Sequence, residues 1–464
     1  MKLFMQNRAS VLERTPSDLP VNKLRRDVIS IAWPALAELI LVQLCLMVDT
    51  MMLGRYGSDG WAVAAVGYCS QPIFLMQSVF IAMNTGATAL IARAYGKDDQ
   101  RQANMTMRHA VFFTLFLSII FSFLGYILAR PMVLMMGAET ERSILASTKY
   151  LQIQMMFFSV NAFTMSTTAC LRGIGKTRVS LIYNLTANLV NIVFNWLFIY
   201  GNLGFPELGV AGASIATVIG QAVAAFIAFW VMTKKGGYLR LRPHFKFQKE
   251  IMRPLIAIGF PAMIEQFILR FGMIIYVITI TSLGESFFTV HQIVNSIYVF
   301  SFVNGQAFGI AATSLLGQSL GKKRPDHAKA YTLHCRRLAL SIALILSIVF
   351  LTCGKYLIYL YNDDPFIVSE GAKILRFAAF LQPFMTSQVV ISGALRGAGD
   401  TKSVAIFSFV GILLIRPAIS LVLVQYVGLG LIGAWIAMSI DQLFRSVMTL
   451  LRLNSGKWES ISLN

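Results

Sequence analysis

Four acidic residues lie inside long apolar stretches of this chain: Glu38, Asp49, Glu265 and Asp441. An ionised side chain in hydrocarbon is costly, so such groups are kept where they bind an ion, relay a proton or pair with a cation. The segment "YNLTANLVNIVFNW", Tyr183 to Trp196, adds a second polar feature. Its Asn184, Asn188, Asn191 and Asn195 recur at spacings of four, three and four. At ~100° per residue they fall within a ~60° arc of one helix face. Amide oxygens can ligate a hard cation or accept from a protonated carboxyl group. Helical rise places the far end of this ladder, Asn191 and Asn195, at the depth of Asp49. These three residues form the expected cation-coupling site, with Asp49 the metal ligand if the ion is Na⁺.

The other polar groups are read as follows. Glu38, Asn184 and Asn188, together with Glu265 and the Gln292 of "HQIVNS", are candidates for a substrate site or a second coupling site. His291 in the same motif reads as a packing histidine. With the terminal-turn basic residues assigned to the loops, Arg270 and Arg416 are the cations left inside the spans. Arg416 and Asp441 lie at compatible depths on adjacent antiparallel spans and are expected to pair. Arg270 is the cation offered to Glu265, although five residues along a helix is poor spacing for direct contact. The first half of the chain then has two carboxylates and no intramembrane base, which favours a cation site there.

The elements that must position these groups are helices. The 464 residues are 56% hydrophobic and only 13% charged, with mean hydropathy +0.66. Soluble domains carry about 25% charge. The apolar blocks reach ~20 residues, enough to cross the bilayer core. Twelve spans are expected, near 28–53, 61–92, 107–129, 148–170, 178–200, 210–233, 254–282, 287–317, 333–354, 373–395, 402–424 and 430–451. Residues 1–27 are polar and lack the pattern of a signal peptide.

The net charge of +19 would suggest nucleic acid on a soluble protein. Here most of the 40 Lys and Arg fall in the N-terminal tail, the even-to-odd connections and the C-terminal segment. That is a positive-inside pattern, so both termini are expected in the cytoplasm and no nucleic acid partner is expected. The five cysteines form no CxxC pair and read as small apolar residues.

The chain also reads twice. "WPALAEL" (Trp33 to Leu39) matches "FPAMIEQ" (Phe260 to Gln266). "GATALIARAYGK" (Gly86 to Lys97) matches "AATSLLGQSLGK" (Ala311 to Lys322). "ACLRGIGKT" (Ala169 to Thr177) matches "GALRGAGDT" (Gly393 to Thr401), and "GVAGASIATVIGQ" (Gly209 to Gln221) matches "GLIGAWIAMSIDQ" (Gly430 to Gln442). The order is kept and the offset drifts slowly. The expected fold is an all-α integral membrane protein of twelve transmembrane helices. They form two homologous six-helix lobes related by a pseudo-two-fold axis along the membrane normal. The expected parts are a cytoplasmic tail at 1–27, a first lobe at 28–233, a basic cytoplasmic linker at 234–253, a second lobe at 254–452 and a cytoplasmic tail at 453–464. "RGIGKT" resembles the end of a phosphate-binding loop, but Cys170 stands where that loop needs glycine, so it reads as a turn between spans.

On these motifs the chain resembles the multidrug and toxic compound extrusion (MATE) transporters. The resemblance rests on "WPALAELILVQLCLMVDTMMLGRYG", "AATSLLGQSLG", "LRGIGKT" with "LRGAGDT", and "IYGNLGFPELGVAGASIAT". It implies a V-shaped antiporter that expels organic cations and other drugs in exchange for H⁺ or Na⁺. Asp49 matches the family's acidic residue of span 1, and Asn191 matches a span 5 asparagine of the cation site in one branch. That branch has an aspartate four residues later, where this chain has Asn195. Bacterial NorM-like members carry a span 7 glutamate about eight residues after the proline, whereas Glu265 comes four after Pro261. Their span 10 acidic residue is missing from "FLQPFMTSQVV".

The expected function is therefore secondary antiport across the cell (inner) membrane, by a monomer, of a cationic amphiphilic small molecule, with H⁺ or Na⁺ as coupling ion and no other cofactor. The alternative is a flippase for a lipid-linked sugar precursor. No HExxH pair, paired metal ligands or nucleophile motif is present, so an enzyme is not expected.

Overall fold

The computed structural model describes residues 16, 18–56, 60–242 and 246–461. Parts of the expected tails, 1–15, 17 and 462–464, and linker residues 243–245 lie outside the described residues. The described chain is helical. In order it forms α1 (Val21–Tyr56), α2 (Trp61–Gly96), α3 (Gln100–Ile127), α4 (Ala129–Met135), α5 (Glu141–Met156), α6 (Phe158–Gly173), α7 (Thr177–Tyr200) and α8 (Gly209–Thr233). There follow α9 (Lys249–Thr281), α10 (Glu285–Gly321), α11 (Pro325–Tyr359), α12 (Pro365–Gly397), α13 (Thr401–Ser408), α14 (Arg416–Leu421) and α15 (Gly430–Asn454).

Ten of the described segments are long and apolar enough to cross a membrane on their own. Three expected spans need comment. The span read at 148–170 is not one helix: α5 and α6 abut at Phe157, whose φ of −105° and ψ of 12° leave the α region. The last span, α15, carries Asp441, Gln442 and Arg445, which make it more polar than its neighbours. The expected span 402–424 is also interrupted, by wide π turns at Phe409–Ile415 and Val422–Tyr426.

Local chemistry sets the helix ends. Asp99 accepts from the Gln102 amide at 2.8 Å at the start of α3. Asp364 accepts from the Phe366 and Ile367 amides before α12, whose first residue is Pro365. Both satisfy backbone donors left over by the first helical turn. Gly201 ends α7 with φ +67°, a conformation that favours glycine.

The chain divides into two compact units. Of the described residues, the N-terminal unit comprises those within 37–94 and 98–256, and the C-terminal unit comprises those up to Leu36, Tyr95–Lys97 and those from Ala257 onward. These bounds differ from the repeat bounds, because the first turns of α1 and α9 each pack away from their own half of the sequence. In the C-terminal unit Leu24, Val28 and Ile31 of α1 join a core with Ala311, Leu315, Ala394 and Trp458. In the N-terminal unit Met252 and Leu255 of α9 pack with Met83, Ala87 and Ala110. The described linker residues also dock in the N-terminal unit. Tyr238 O accepts from Gln100 and Asn104, and the Gln248 amide donates to His109 Nε2 at 2.8 Å.

Outside the spans, Arg324 grips Asp18 through two hydrogen bonds of 2.8 and 3.0 Å. Arg324 first, and His327 second, hold the Asp18 carboxyl below the usual carboxylate range.

The close crossing of α10 and α12 is set by small residues. A Cβ at Gly393 would come within 2.5 Å of the Gly309 carbonyl oxygen. Gly393→Val should therefore overpack this crossing and destabilise the C-terminal unit by roughly 1–3 kcal/mol. Gly67→Val, at a position with open space, should lack this effect. Thermal unfolding of the detergent-solubilised variants measures the difference, and equal melting temperatures would refute the assignment.

Candidate functional site

Within the N-terminal unit, α1 and α7 bring Asp49 to the outer end of the amide ladder. Asn195, fully buried, donates from Nδ2 to Asp49 Oδ1 at 2.6 Å. Asn191 lies one turn below, and Asn195 Nδ2 also reaches its oxygen at 3.3 Å. In the opposite amide orientation, which replaces that contact, Asn191 Nδ2 donates to Asp49 Oδ1 at 3.0 Å and its oxygen accepts from the Thr217 hydroxyl and amide at 3.2 Å. Thr217, on α8, was not singled out in the sequence. Among the described residues, Asp49 has no ion-pair partner. Asn195 Oδ1 is buried and without a hydrogen-bond partner. The site thus holds one carboxylate, two amides and a hydroxyl, which suits a proton or a small hard cation.

Glu38 does not share this site, and the expectation that it lacks a base is wrong. Arg172, at the end of α6, donates to Glu38 Oε1 at 2.9 Å. Ser180 donates to Oε2 and Asn184 to Oε1, each at 2.9 Å. Arg172 was assigned to a cytoplasmic turn, but its side chain is long enough to carry the guanidinium back to a buried carboxylate. The ladder is therefore divided. Asn184 serves Glu38, Asn191 and Asn195 serve Asp49, and Asn188 Nδ2 between them is buried without a partner.

The C-terminal unit repeats the Glu38 arrangement. Glu265, 2% exposed, takes Arg396 Nη2 at 2.5 Å and Nε at 3.3 Å, with Ser408 Oγ at 3.4 Å. Its cation is Arg396, not Arg270. Arg172 and Arg396 are the same arginine of the repeated "LRG" motif, and Ser408 occupies the register of Asn184. The repeat itself was the signal that could have found both pairs.

Asp441 is fully buried and takes Arg416 Nε at 3.0 Å and Nη2 at 2.6 Å. A second cation, Arg445, was missed; it donates to Oδ1 at 2.8 Å and Oδ2 at 3.0 Å. Its position four residues after Asp441 on α15 is the helical spacing for such a pair. Gly411, in the π turn before Arg416, gives Asp441 room, since a Cβ there would clash with Asp441 Oδ1. Gln292 is exposed on α10 and touches none of these clusters. A cavity of about 670 Å³ in the N-terminal unit is lined by Trp61, Tyr68, Glu139, Arg142 and others, and includes none of the expected site residues.

Removing one partner of a buried ion pair leaves an uncompensated charge, at a cost of about 3–5 kcal/mol. Arg396→Gln should therefore destabilise the protein strongly, and Glu265→Gln/Arg396→Gln much less. A thermal-denaturation cycle over the four proteins measures the coupling; additive losses would refute the pairing.

The chain has relatives along nearly its whole length. A sequence model described as MatE matches residues 34–197 and 261–422. A probable multidrug resistance protein NorM of Thermotoga maritima is 32% identical over 449 residues, covering 95% of this chain and 94% of that protein. An uncharacterized transporter, YisQ, of Bacillus subtilis is 27% identical over 452 residues, covering 97% and 98%. A crystal structure of MATE in the bent conformation aligns with a TM-score of 0.86 at 20% identity, over 96% of this chain and 97% of that one. An outward-facing multidrug resistance MATE family transporter of the MOP superfamily gives 0.86 at 20%, over 93% and 96%. At that identity the likeness establishes the fold, a twelve-helix membrane architecture.

Proposed function

The chain belongs to the MatE family, and from that premise we propose that it is a secondary exporter of cationic amphiphilic small molecules, driven by entry of H⁺ or Na⁺ at Asp49. As a member of that family it is a membrane transporter and not an enzyme. The observation that carries the coupling reading is the contrast among its buried carboxylates. Glu38, Glu265 and Asp441 are each neutralised by arginine. Among the described residues Asp49 is met by amides and by no arginine or lysine, which leaves its charge to a proton or a cation drawn from outside the protein.

The residues fit either ion. For H⁺, the carboxylate is the acceptor. For Na⁺, the ligand oxygens would come from Asp49, the unpartnered Oδ1 of Asn195, Asn191 and Thr217. Occupancy changes the hydrogen bonds joining α1 to α7, and with them the position of the Asp49 segment of α1 within the N-terminal unit. For antiport, ion binding must weaken substrate binding, and by linkage substrate then weakens ion binding by the same factor. The multidrug names of several relatives support a drug-like substrate, and no observation favours a lipid-linked sugar. The positive-inside pattern supports cytoplasmic termini in the cell (inner) membrane.

Dye efflux from proteoliposomes under an imposed Na⁺ gradient, and separately under a pH gradient, identifies the coupling ion. Asp49→Asn should abolish gradient-driven efflux under both while leaving the melting temperature near that of the parent. Normal coupled transport in that variant would end the proposal. Asn195→Asp adds a second carboxylate and should raise the apparent affinity for the coupling cation, read as a lower half-saturating ion concentration.

A further inference from the structure

The second buried charge cluster has the opposite sign. Asp441 receives four hydrogen bonds from Arg416 and Arg445, all within 3.0 Å. One carboxylate is thus shared by two guanidinium groups, and the trio keeps one net positive charge. All three side chains are at least nine-tenths buried. An uncompensated cation at such a place is costly, and the carboxylate has no oxygen left to offset it.

Several buried groups beside it have no hydrogen-bond partner among the described residues. The Tyr298 hydroxyl, whose ring packs against Trp435 at 5.8 Å, and the acceptor Gln442 Oε1 are two that can serve each other, and three able to donate remain. The Arg416 guanidinium lies over the Tyr276 ring at 5.3 Å. His291 packs edge-on against Tyr276 at 5.7 Å and against Trp435 at 5.8 Å. The Tyr276 hydroxyl, His291 Nδ1 and Trp435 Nε1 are all buried with no hydrogen-bond partner. Exposure is 1% for Tyr276, 3% for His291 and 0% for Trp435. An indole N–H can only donate, a phenol can donate, and neutral imidazole donates from whichever nitrogen bears the proton. Three orphaned groups able to donate, beside a surplus positive charge, repel a cation and suit a small anion. The π turns on either side of α14 mark the backbone that presents Arg416, and such turns recur at functional sites.

We propose that the C-terminal unit binds a small monoanion, a halide or a carboxylate group, between Arg416 and the donors Tyr276, His291 and Trp435. This site is separate from Asp49, lies in the other compact unit, and does not depend on the coupling reading.

The test uses the full-length protein in detergent, at constant Na⁺ and ionic strength. Gluconate, a bulky and strongly hydrated anion, is replaced stepwise by chloride in one arm and by acetate in another, and the melting temperature is read. Parent protein should show a saturable rise in at least one arm. Saturation by chloride alone identifies a halide site, and tighter response to acetate identifies a site for a substrate carboxylate. Tyr276→Phe removes one hydroxyl and little else. In gluconate it should be neutral or slightly stabilising, because the lost group was unsatisfied. With the anion it should raise the half-saturating concentration about tenfold, the loss expected of one donor to a charged acceptor. Asp49→Asn should leave the anion response intact. Absence of a saturable rise in both arms, or an unchanged half-saturation in Tyr276→Phe, would overturn the proposal and leave water as the occupant.

Discussion

The structure is governed by the cost of holding charge away from water. Four carboxylates sit among apolar helices, and their compensation ranges from two arginines to none among the described residues. Glu38 and Glu265 have one arginine each. Asp441 has two. Asp49 has none among the described residues and is met only by amides. The helices around each carboxylate are arranged to deliver these partners: α6 and α7 to Glu38, α12 and α13 to Glu265, α14 and α15 to Asp441. Buried pairs of this kind add little net stability over an apolar core, but they penalise any packing that separates the partners. The exception at Asp49 is therefore informative, because nothing in its surroundings fixes its charge state.

Much of this could be read from residue type and period. The amide ladder follows directly from helical spacing, and the meeting of Asp49 with Asn195 follows from depth along two spans that run in the same direction. The Arg416–Asp441 contact was visible for the same reason. The missed contacts share a physical cause. Arg172 and Arg396 lie in the last turns of their helices, where basic residues usually face the headgroups, and Arg445 lies inside α15, one turn after Asp441. Their long flexible stems allow the guanidinium to turn inward instead, and no count of residues along a helix reveals which way the stem runs. The break of one expected span at Phe157 and the π turns near Arg416 were likewise hidden, since the apolar pattern continues through both.

The internal repeat gives the two units related polar skeletons with unlike outcomes. The glutamate–arginine pair occurs in both, with Asn184 and Ser408 as matching third members. Beyond that pair the units part. The N-terminal unit holds a lone carboxylate among hydrogen-bonding amides, and the C-terminal unit holds an excess of guanidinium among donor groups. Duplication supplied one scaffold, and substitution at a few helix positions gave its copies opposite local fields.

The division of α1 between the two compact units bears on how the chain is made. Leu24, Val28 and Ile31 are among the first membrane residues synthesised, yet their packing partners run from Phe308 to Trp458. At ~5–20 residues per second, a span of this length takes on the order of 15–90 s to emerge. Throughout that interval the opening turns of α1 have only lipid, or an insertion factor, against their apolar face. The C-terminal unit can close its core only when synthesis is nearly finished, so a truncation that removes α15 and Trp458 would strand the beginning of the protein as well as its end.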